Sequence, residues 1–293
     1  MIYIDKILFP EIDILTEYYP YKVFKYMGFT DMPLKPITML YGNNGSGKST
    51  ILNVIGELIG AQRKKQIFKD VEYDNFGQPF RPFENFVREA KYTVAKDASG
   101  HDLRMPTVIR LITSDDIFKD INARIDFNYE KVNEIQDKSN EYYDLLDEGN
   151  GYHFPGLYDL DHFHQINKAR SKRTSRKSWA DEYAGKKKEL QSNGETALAY
   201  FSYMIEPDGI YLLDEPENCL SPIFQIELMK MIDRAVKQMH CQFFIATHSP
   251  LILSMEDALI YNLDLEPVET QKWEELENVR IYWEFFDKNS GRF

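Results

Sequence analysis

GNNGSGKST, residues 42–50, is the stretch that decides how this chain folds. Gly42 is followed by four residues and then by Gly47, Lys48 and Ser49, which is the spacing of a phosphate-binding P-loop. Glycines let the loop turn its N–H groups toward phosphate oxygens, the lysine supplies a positive charge, and the serine hydroxyl is a Mg²⁺ ligand. The pattern predicts a site for a nucleoside triphosphate. Its residues are Gly42, Asn43, Asn44, Gly45, Ser46, Gly47, Lys48, Ser49 and Thr50.

The residues on either side of the loop fit this interpretation. PITMLYG, residues 36–42, is an apolar run typical of a buried strand. STILNVIGELIG, residues 49–60, has apolar residues at helical spacing, so it predicts a helix whose N-terminus points at the bound anion. A strand, a loop and a helix in this order are the context in which the motif binds phosphate.

Two further segments carry residues suited to hydrolysis. In IYLLDEPEN, residues 210–218, an apolar strand ends at Asp214 and Glu215. The first carboxylate is placed to hold Mg²⁺ through water, and Glu215 to orient or deprotonate the attacking water. In FFIATHSP, residues 243–250, a second apolar strand is followed by His248. A histidine at a strand end is by itself more often structural, but the order of these segments favours a catalytic role.

Four segments follow one another along the chain: the P-loop, SNGE at residues 192–195, and the two strand ends. Their order resembles that of the ABC-type P-loop ATPases. His248 corresponds to the switch histidine of that family. The DEPEN and ATHSP segments, with Ser221 where transporter-type domains usually carry aspartate, are more similar to the soluble SMC and RecF-like branch. Within that branch the chain looks most like small bacterial predicted AAA/ABC-like ATPases. The signature segment corresponds here to Ser192, Asn193, Gly194 and Glu195.

SNGE also permits a structural interpretation. Ser192 and Glu195 have the spacing of a capping box, so the segment can simply begin a helix. Asn193 and Glu195 also stand where the family usually has glycine and glutamine. Both interpretations can hold, because the family's signature is itself a helix N-terminus presented to a phosphate of the partner subunit.

The resemblance implies an α/β fold, a P-loop NTPase of the ABC-head type with a mixed sheet flanked by helices, over residues 1–293. ATP and Mg²⁺ are the implied ligands, with Ser49 and Asp214 on the metal and Glu215 and His248 in catalysis. Two heads would pair face to face on ATP binding. The implied role is action on DNA, or the ATPase subunit of a bacterial nucleic-acid-directed complex such as antiviral defence. The alternatives are an ATP-sensing subunit of a nuclease or toxin complex with slow turnover, and a transporter motor domain.

Residues 119–190 predict a helical, partly basic insertion within the head. The stretch 116–148 has the charge density and apolar spacing of a helix. Between Lys168 and Lys188 there are nine basic residues and two acidic ones, in a chain whose net charge is −12. The arginines, with Trp179 and Tyr183 for stacking on bases, favour a nucleic-acid site. A solvated loop, or a docking face for a protein partner such as a nuclease or toxin, remains open.

The net charge and the length of the apolar runs limit the kinds of protein that this chain can be. The net charge of −12 argues against a protein coated with nucleic acid over its whole surface. No apolar run reaches about 18 residues, so we expect no membrane insertion and a cytoplasmic location.

Residues 76–86 predict a loop or a sheet edge. The family resemblance also implies that one of the aromatic residues at 18–26 stacks on adenine, and it makes an oxygen of Ser114, Asp115 or Asp116 a candidate ligand near Mg²⁺.

Overall fold

The structure is a computed structural model of the chain. It describes residues 2–12, 17–28, 30–63, 71–73, 78–150, 152, 160–171, 174–175, 178–179 and 193–292, with the backbone alone at 124–133 and 135–136. The chain forms two compact units. The head unit comprises residues 1–118 and 192–293, and the inserted unit comprises residues 119–191.

The strands are β1 (Ile4–Leu8), β2 (Asp31–Pro33), β3 (Ile37–Tyr41), β4 (Glu72–Tyr73), β5 (Pro79–Phe80), β6 (Lys91–Val94), β7 (Val108–Thr113), β8 (Gly209–Asp214), β9 (Gln242–Ala246), β10 (Leu259–Asn262) and β11 (Glu269–Gln271). The helices are α1 (Tyr21–Phe24), α2 (Lys48–Leu58), α3 (Pro82–Glu89), α4 (Ser114–Glu148), α5 (Leu160–Ala169), α6 (Asn193–Met204), α7 (Pro222–Gln238), α8 (Pro250–Leu253) and α9 (Glu277–Lys288). The fold is α/β, as the sequence predicts.

A six-stranded sheet with the order β11-β10-β3-β9-β8-β7 forms the centre of the head unit. Its five strands from β10 to β7 are parallel, and β11 pairs with β10 in the antiparallel direction. All residues of β3 and β9 are buried, which is the pattern of parallel strands covered on both faces. Because β3, β8 and β9 are neighbours, the P-loop and the segments after β8 and β9 leave the same edge of the sheet.

A second, antiparallel sheet has the order β2-β1-β6. Gln242, the fully buried first residue of β9, connects the two sheets. Its Oε1 accepts the N–H groups of Tyr3 and Ile4 at 2.9 and 3.0 Å, and its Nε2 donates to the Ile4 carbonyl at 2.8 Å. A buried amide is tolerated here because its polar atoms are hydrogen-bonded.

The main core lies between these sheets and α2, whose Ile51, Leu52 and Ile55 are fully buried. The predicted helix at 49–60 therefore exists, one residue earlier at its start. The prediction of a loop or sheet edge at 76–86 is wrong in part, because α3 begins at Pro82 and buries Phe86. Proline at the first turn is compatible with a helix start, and the Phe86 ring packs on Phe24 with centroids 4.6 Å apart.

In the described part of the inserted unit the chain forms α5 and most of α4, and Tyr183 lies outside that part. The buried cluster of this unit consists of Leu145, Ile166, Ala169 and Trp179. Trp179 is 1% exposed, so the suggestion that it stacks on bases is wrong: the indole is part of this small core. Of the nine basic residues, Lys168 and Arg170 lie in the described part of the chain.

Within the described residues, no helix combines the length and the apolar character that crossing a membrane requires.

Candidate active site

The P-loop adopts backbone conformations that favour glycine. The φ angles are 88° at Gly45 and 100° at Gly47, in the left-handed region that L side chains rarely adopt. At Gly47 a Cβ atom would also lie 2.6 Å from Val23 Cγ1 and 2.9 Å from Met27 Cε. At Gly42 it would lie 2.6 Å from Ser46 Oγ. The loop is therefore a close-fitting turn whose shape depends on its glycines.

Lys48, the first residue of α2, lies along the inside of this loop and is 4% exposed. Its Nζ donates to the carbonyls of Gly42 and Asn43 at 2.8 and 3.1 Å. Burial lowers the pKa of Lys48, and the carboxylates of Glu215 and Asp214 partly oppose that effect. An anionic phosphate at the loop would satisfy the same ammonium group with a stronger, charge-assisted hydrogen bond.

Ser49 and Asp214 connect the P-loop helix to the end of β8. Ser49 Oγ donates to Asp214 Oδ1 at 3.0 Å. Burial raises the pKa of Asp214 to about 6, while the hydrogen bond from Ser49 acts in the opposite direction. A hydroxyl and a partly buried carboxylate side by side form an oxygen donor set that suits Mg²⁺, so the residues present fit the predicted ion.

Glu215 follows at the point where β8 ends and the 3₁₀ helix Pro216–Cys219 begins. Its backbone is left-handed, with φ 49° and ψ 54°, which costs a non-glycine residue about 1 kcal/mol or more. Glu215 Oε2 accepts Asn218 Nδ2 at 2.9 Å, and Glu215 Oε1 lies 3.5 Å from His248 Nε2. The carboxylate is therefore aimed by a strained turn and flanked by two side chains that can orient it and a water molecule.

His248 is brought to Glu215 because β8 and β9 are adjacent and parallel. Its backbone N–H donates to Glu217 Oε1 at 2.6 Å, and its carbonyl accepts Asn278 Nδ2 at 2.8 Å. Burial raises the pKa of Glu217. Sequence reasoning assigned no catalytic role to Glu217 and missed Asn278, which belongs to no motif. The extra acid in DEPEN was the only available signal for Glu217.

A cavity of about 680 Å³ opens where these elements meet. Its lining combines the P-loop residues Asn43 and Asn44 with the side chains Glu215, Asn218 and His248. Loop residues that can bind phosphate and side chains that can activate water therefore face one open space. This geometry can support the displacement of a phosphoryl group by water.

The described residues of the predicted signature segment are not among those that line this cavity. Ser192 falls outside the described residues, and Asn193, Gly194 and Glu195 form the first turn of α6. A Cβ atom on Gly194 would lie 2.3 Å from the Phe224 ring of α7. The glycine is thus required for packing between α6 and α7, whereas Asn193 and Glu195 are exposed.

The structure also bears on three further candidates, namely Asp116 as a metal ligand and Phe24 and Tyr26 as residues that stack on adenine. Asp116 is 3% exposed and caps the start of α4. Its Oδ2 accepts hydrogen bonds from the Thr113 N–H at 3.2 Å and from the Thr113 hydroxyl at 2.9 Å. Oδ2 is thus used by the helix cap, and Ser114, Asp115 and Asp116 all stay candidate ligands. Phe24 is buried in the core, which excludes it as the adenine-stacking residue. Tyr26 is 59% exposed and lies one residue before Met27, which contacts the P-loop.

Asp264 is a site residue that sequence reasoning missed. It follows β10, and both of its carboxylate oxygens accept the N–H of Asn43, at 2.8 and 3.0 Å. The register of β10 on β3 pairs Asn262 with Tyr41, which brings Asp264 beside the loop. No local pattern marks an aspartate 221 residues from its partner.

Comparison with known proteins found a matching family model for part of the chain. Residues 187–254, which include Asp214, Glu215 and His248, match a family model described as "AAA domain, putative AbiEii toxin, Type IV TA system". The chain resembles the ABC-type P-loop ATPases of the SMC and RecF-like branch. No curated protein is significantly similar to it.

Solved structures similar to this chain include heads of SMC proteins. The Smc head domain bound to the C-terminal domain of ScpA, derived from Pyrococcus furiosus, is 13% identical, with coverage of 97% of this chain and 100% of that chain and a TM-score of 0.42. The SMC head domain from Thermotoga maritima is 16% identical, with coverage of 89% and 94% and a TM-score of 0.41. An SmcHead bound to the C-winged helix domain of ScpA is 15% identical, with coverage of 93% and 99% and a TM-score of 0.44.

Proposed function

We propose that this chain is a Mg²⁺-dependent ATPase whose heads pair when ATP is bound. The observation that carries the proposal is the contact between Ser49 and Asp214, at 3.0 Å, with Glu215 next in the chain. It joins the phosphate-binding helix to the strand that carries the proposed base. A P-loop that served structure alone would not require a partly buried carboxylate at this point.

Each side chain then has a role that its surroundings support. Lys48 and the loop N–H groups bind the β- and γ-phosphates, and Ser49 and Asp214 hold Mg²⁺. When bound, the ion neutralises charge that develops on the phosphate oxygens. Glu215 accepts a proton from the attacking water, and His248 and Asn218 keep its carboxylate in position.

Pairing of two heads is supported by the open state of the site. Glu215 and His248 are 29% and 34% exposed, so water has free access to the proposed base in a single head. The exposed N-terminus of α6, at Asn193, is a group that can cap the phosphates of a facing head. Closure of two heads would exclude bulk water and complete the site.

The target is proposed as DNA, or a bacterial nucleic-acid-directed or defence complex. The family description names a toxin of a toxin–antitoxin system, which also supports the second candidate, an ATP-sensing subunit with slow turnover beside a nuclease or toxin. The basic residues between Lys168 and Lys188 supply positive charge for nucleic acid. Because the Arg170 side chain donates to the Gly149 carbonyl, Arg173 and Arg176 are the better residues for charge reversal.

The test of the ATPase compares the wild type with Glu215→Gln. The variant should retain ATP affinity and lose hydrolysis by roughly 10²- to 10⁴-fold. Glu256→Gln, at an exposed glutamate, is the matched control and should hydrolyse ATP normally. Light scattering of Glu215→Gln with ATP tests pairing, and slow turnover by the wild type itself would favour the sensing subunit. Wild-type turnover by Glu215→Gln would exclude Glu215 as the base.

The test of the nucleic-acid target is fluorescence anisotropy with DNA and RNA at two salt concentrations. Binding through phosphates should weaken steeply with salt, and Arg173→Glu with Arg176→Glu should weaken it further while ATP hydrolysis is unchanged. If no nucleic acid binds at low salt, the protein-docking alternative is the better account of the basic stretch.

A further inference from the structure

The peptide groups at His248 are held on both sides by side chains from distant parts of the chain. The N–H donates to Glu217 Oε1 at 2.6 Å, and the carbonyl accepts Asn278 Nδ2 at 2.8 Å. Asn278 lies 30 residues further along, in the first turn of α9. Both hydrogen-bonding groups of this residue's backbone are therefore engaged, which restricts the position from which the imidazole extends.

The next part of the same loop is held from the same direction. The Pro250 carbonyl accepts Trp273 Nε1 at 2.8 Å. Trp273 begins the 3₁₀ helix Trp273–Glu275, which immediately precedes α9. Two carbonyls of the switch loop, residues 248–250, are thus bonded to side chains of a single segment, residues 273–288.

The first turn of α9 is itself firmly anchored in the head unit. Leu276 and Val279 on either side of Asn278 are 0% and 7% exposed. The Asn278 N–H also donates to the Tyr41 hydroxyl at 3.3 Å. Because Tyr41 is the last residue of β3, Asn278 connects the strand that enters the P-loop to the switch loop.

Small displacements at His248 matter for the chemistry. Its Nε2 lies 3.5 Å from Glu215 Oε1, and both side chains are about one-third exposed, at 34% and 29%. Although a third of the side chain is exposed, the Nε2 atom itself is buried, so its distance from Glu215 follows any movement of the backbone that carries the ring. A displacement of about 1 Å at such a contact can reduce turnover by up to roughly 10²-fold.

We propose that Asn278, supported by Trp273, is a positioning residue that sets His248 against Glu215. The inference rests on the proposed ATPase function. It adds a determinant of turnover that lies outside the P-loop, the DEPEN segment and the ATHSP segment, and that acts through a backbone carbonyl.

The experiment compares Asn278→Ala and Asn278→Asp with the wild type. Aspartate has the size of asparagine but no N–H donor, so both variants lose the hydrogen bond to His248. Each should lower kcat roughly tenfold while the Kd for ATP stays within about twofold. Asn289→Ala is the matched control, because Asn289 ends the same helix and donates to Phe285. Wild-type kcat in both Asn278 variants would overturn the proposal.

A double-mutant cycle separates positioning from a general structural effect. If Asn278 acts through His248, Asn278→Ala should cause little further loss in a His248→Gln background. If the double variant lowers kcat by the product of the two single-variant factors, Asn278 acts elsewhere and the inference is overturned. Trp273→Phe, which retains an aromatic ring and removes the N–H, provides a second variant should Asn278→Ala fold poorly. It should lower kcat by a smaller factor.

A measurement without turnover distinguishes failure of this inference from failure of the proposed function. The NMR resonance of the His248 ring proton is assigned by its disappearance in His248→Gln. It should shift in both Asn278 variants and stay unchanged in Asn289→Ala. An unmoved resonance would reject the inference even in an active ATPase, whereas absent ATP hydrolysis by the wild type would reject the function and leave this result standing.

Discussion

The Asp264 carboxylate accepts the backbone N–H of Asn43 with both oxygens, at 2.8 and 3.0 Å. The aspartate is held in turn, since its own N–H donates to Asn262 Oδ1 at 2.9 Å. It therefore fixes the entrance of the P-loop from the end of β10. The same carboxylate places negative charge near Lys48, and near any phosphate bound there.

Asp264→Ala and Asp264→Asn separate these two effects. Alanine removes the acceptor and should weaken ATP binding by roughly two- to tenfold, the effect of one hydrogen bond. Asparagine retains an acceptor oxygen and removes the charge, so it should bind ATP at least as tightly as the wild type. Titration with a fluorescent ATP analogue measures both, and equal affinities of the two variants would contradict a role in shaping the loop.

Lys48→Ala should abolish ATP binding. The substitution removes the side-chain cation of the loop and leaves the Gly42 and Asn43 carbonyls without their donor. The same titration measures it, with Lys230→Ala on the exposed surface of α7 as the control. Unchanged affinity in Lys48→Ala would mean that the phosphates bind elsewhere.

ATP-dependent pairing should be tested at Asn193 rather than at Gly194. A side chain on Gly194 would collide with Phe224, so loss of pairing in a Gly194 variant would also reflect disturbed packing. Asn193→Asp adds charge at an exposed helix N-terminus, where an acid favours the helix but repels a facing phosphate. The variant should fold normally, bind ATP, and fail to pair by light scattering.

Ser202→Asp introduces the same charge at an exposed position near the other end of α6 and should leave pairing intact. If Asn193→Asp pairs normally with ATP, the case for a signature contact at α6 is lost.

The partly buried Asp214 predicts a pH dependence of stability in the Mg²⁺-free protein. Burial raises its pKa from 3.8 to about 6, so between these values the folded state binds more protons than the unfolded state. The free energy of unfolding from this group therefore falls as pH rises from about 4 to about 6, by at most about 3 kcal/mol, and is constant above. Urea denaturation across this range measures it.

Asp214→Asn should remove this contribution, so its stability should fall less over the same pH range. Asp233→Asn, at a partly exposed ion pair on α7, is the control and should follow the wild-type profile. Parallel profiles of the wild type and Asp214→Asn would show that the Asp214 pKa is not raised.

The sequence determined those parts of this protein whose constraints are local. Positive φ at Gly45 and Gly47 restricts the choice of residue, and the apolar runs before Gly42 and Asp214 mark buried strands. Such features can be predicted from sequence because a turn or a buried strand restricts which residue types its own neighbouring positions can hold. The start of α3 at Pro82 was readable in the same way but was taken for a loop or sheet edge.

Only the tertiary structure decided which distant residues meet at this site. Asp264 reaches Asn43 because β10 pairs with β3, and Glu217 and Asn278 hold His248 because β8, β9 and α9 converge. Trp179 is buried in the inserted unit despite its basic surroundings. A hydrogen bond or a buried ring across many residues leaves no periodic pattern in the chain. Its partners are chosen by strand order and packing, which no short stretch of sequence specifies.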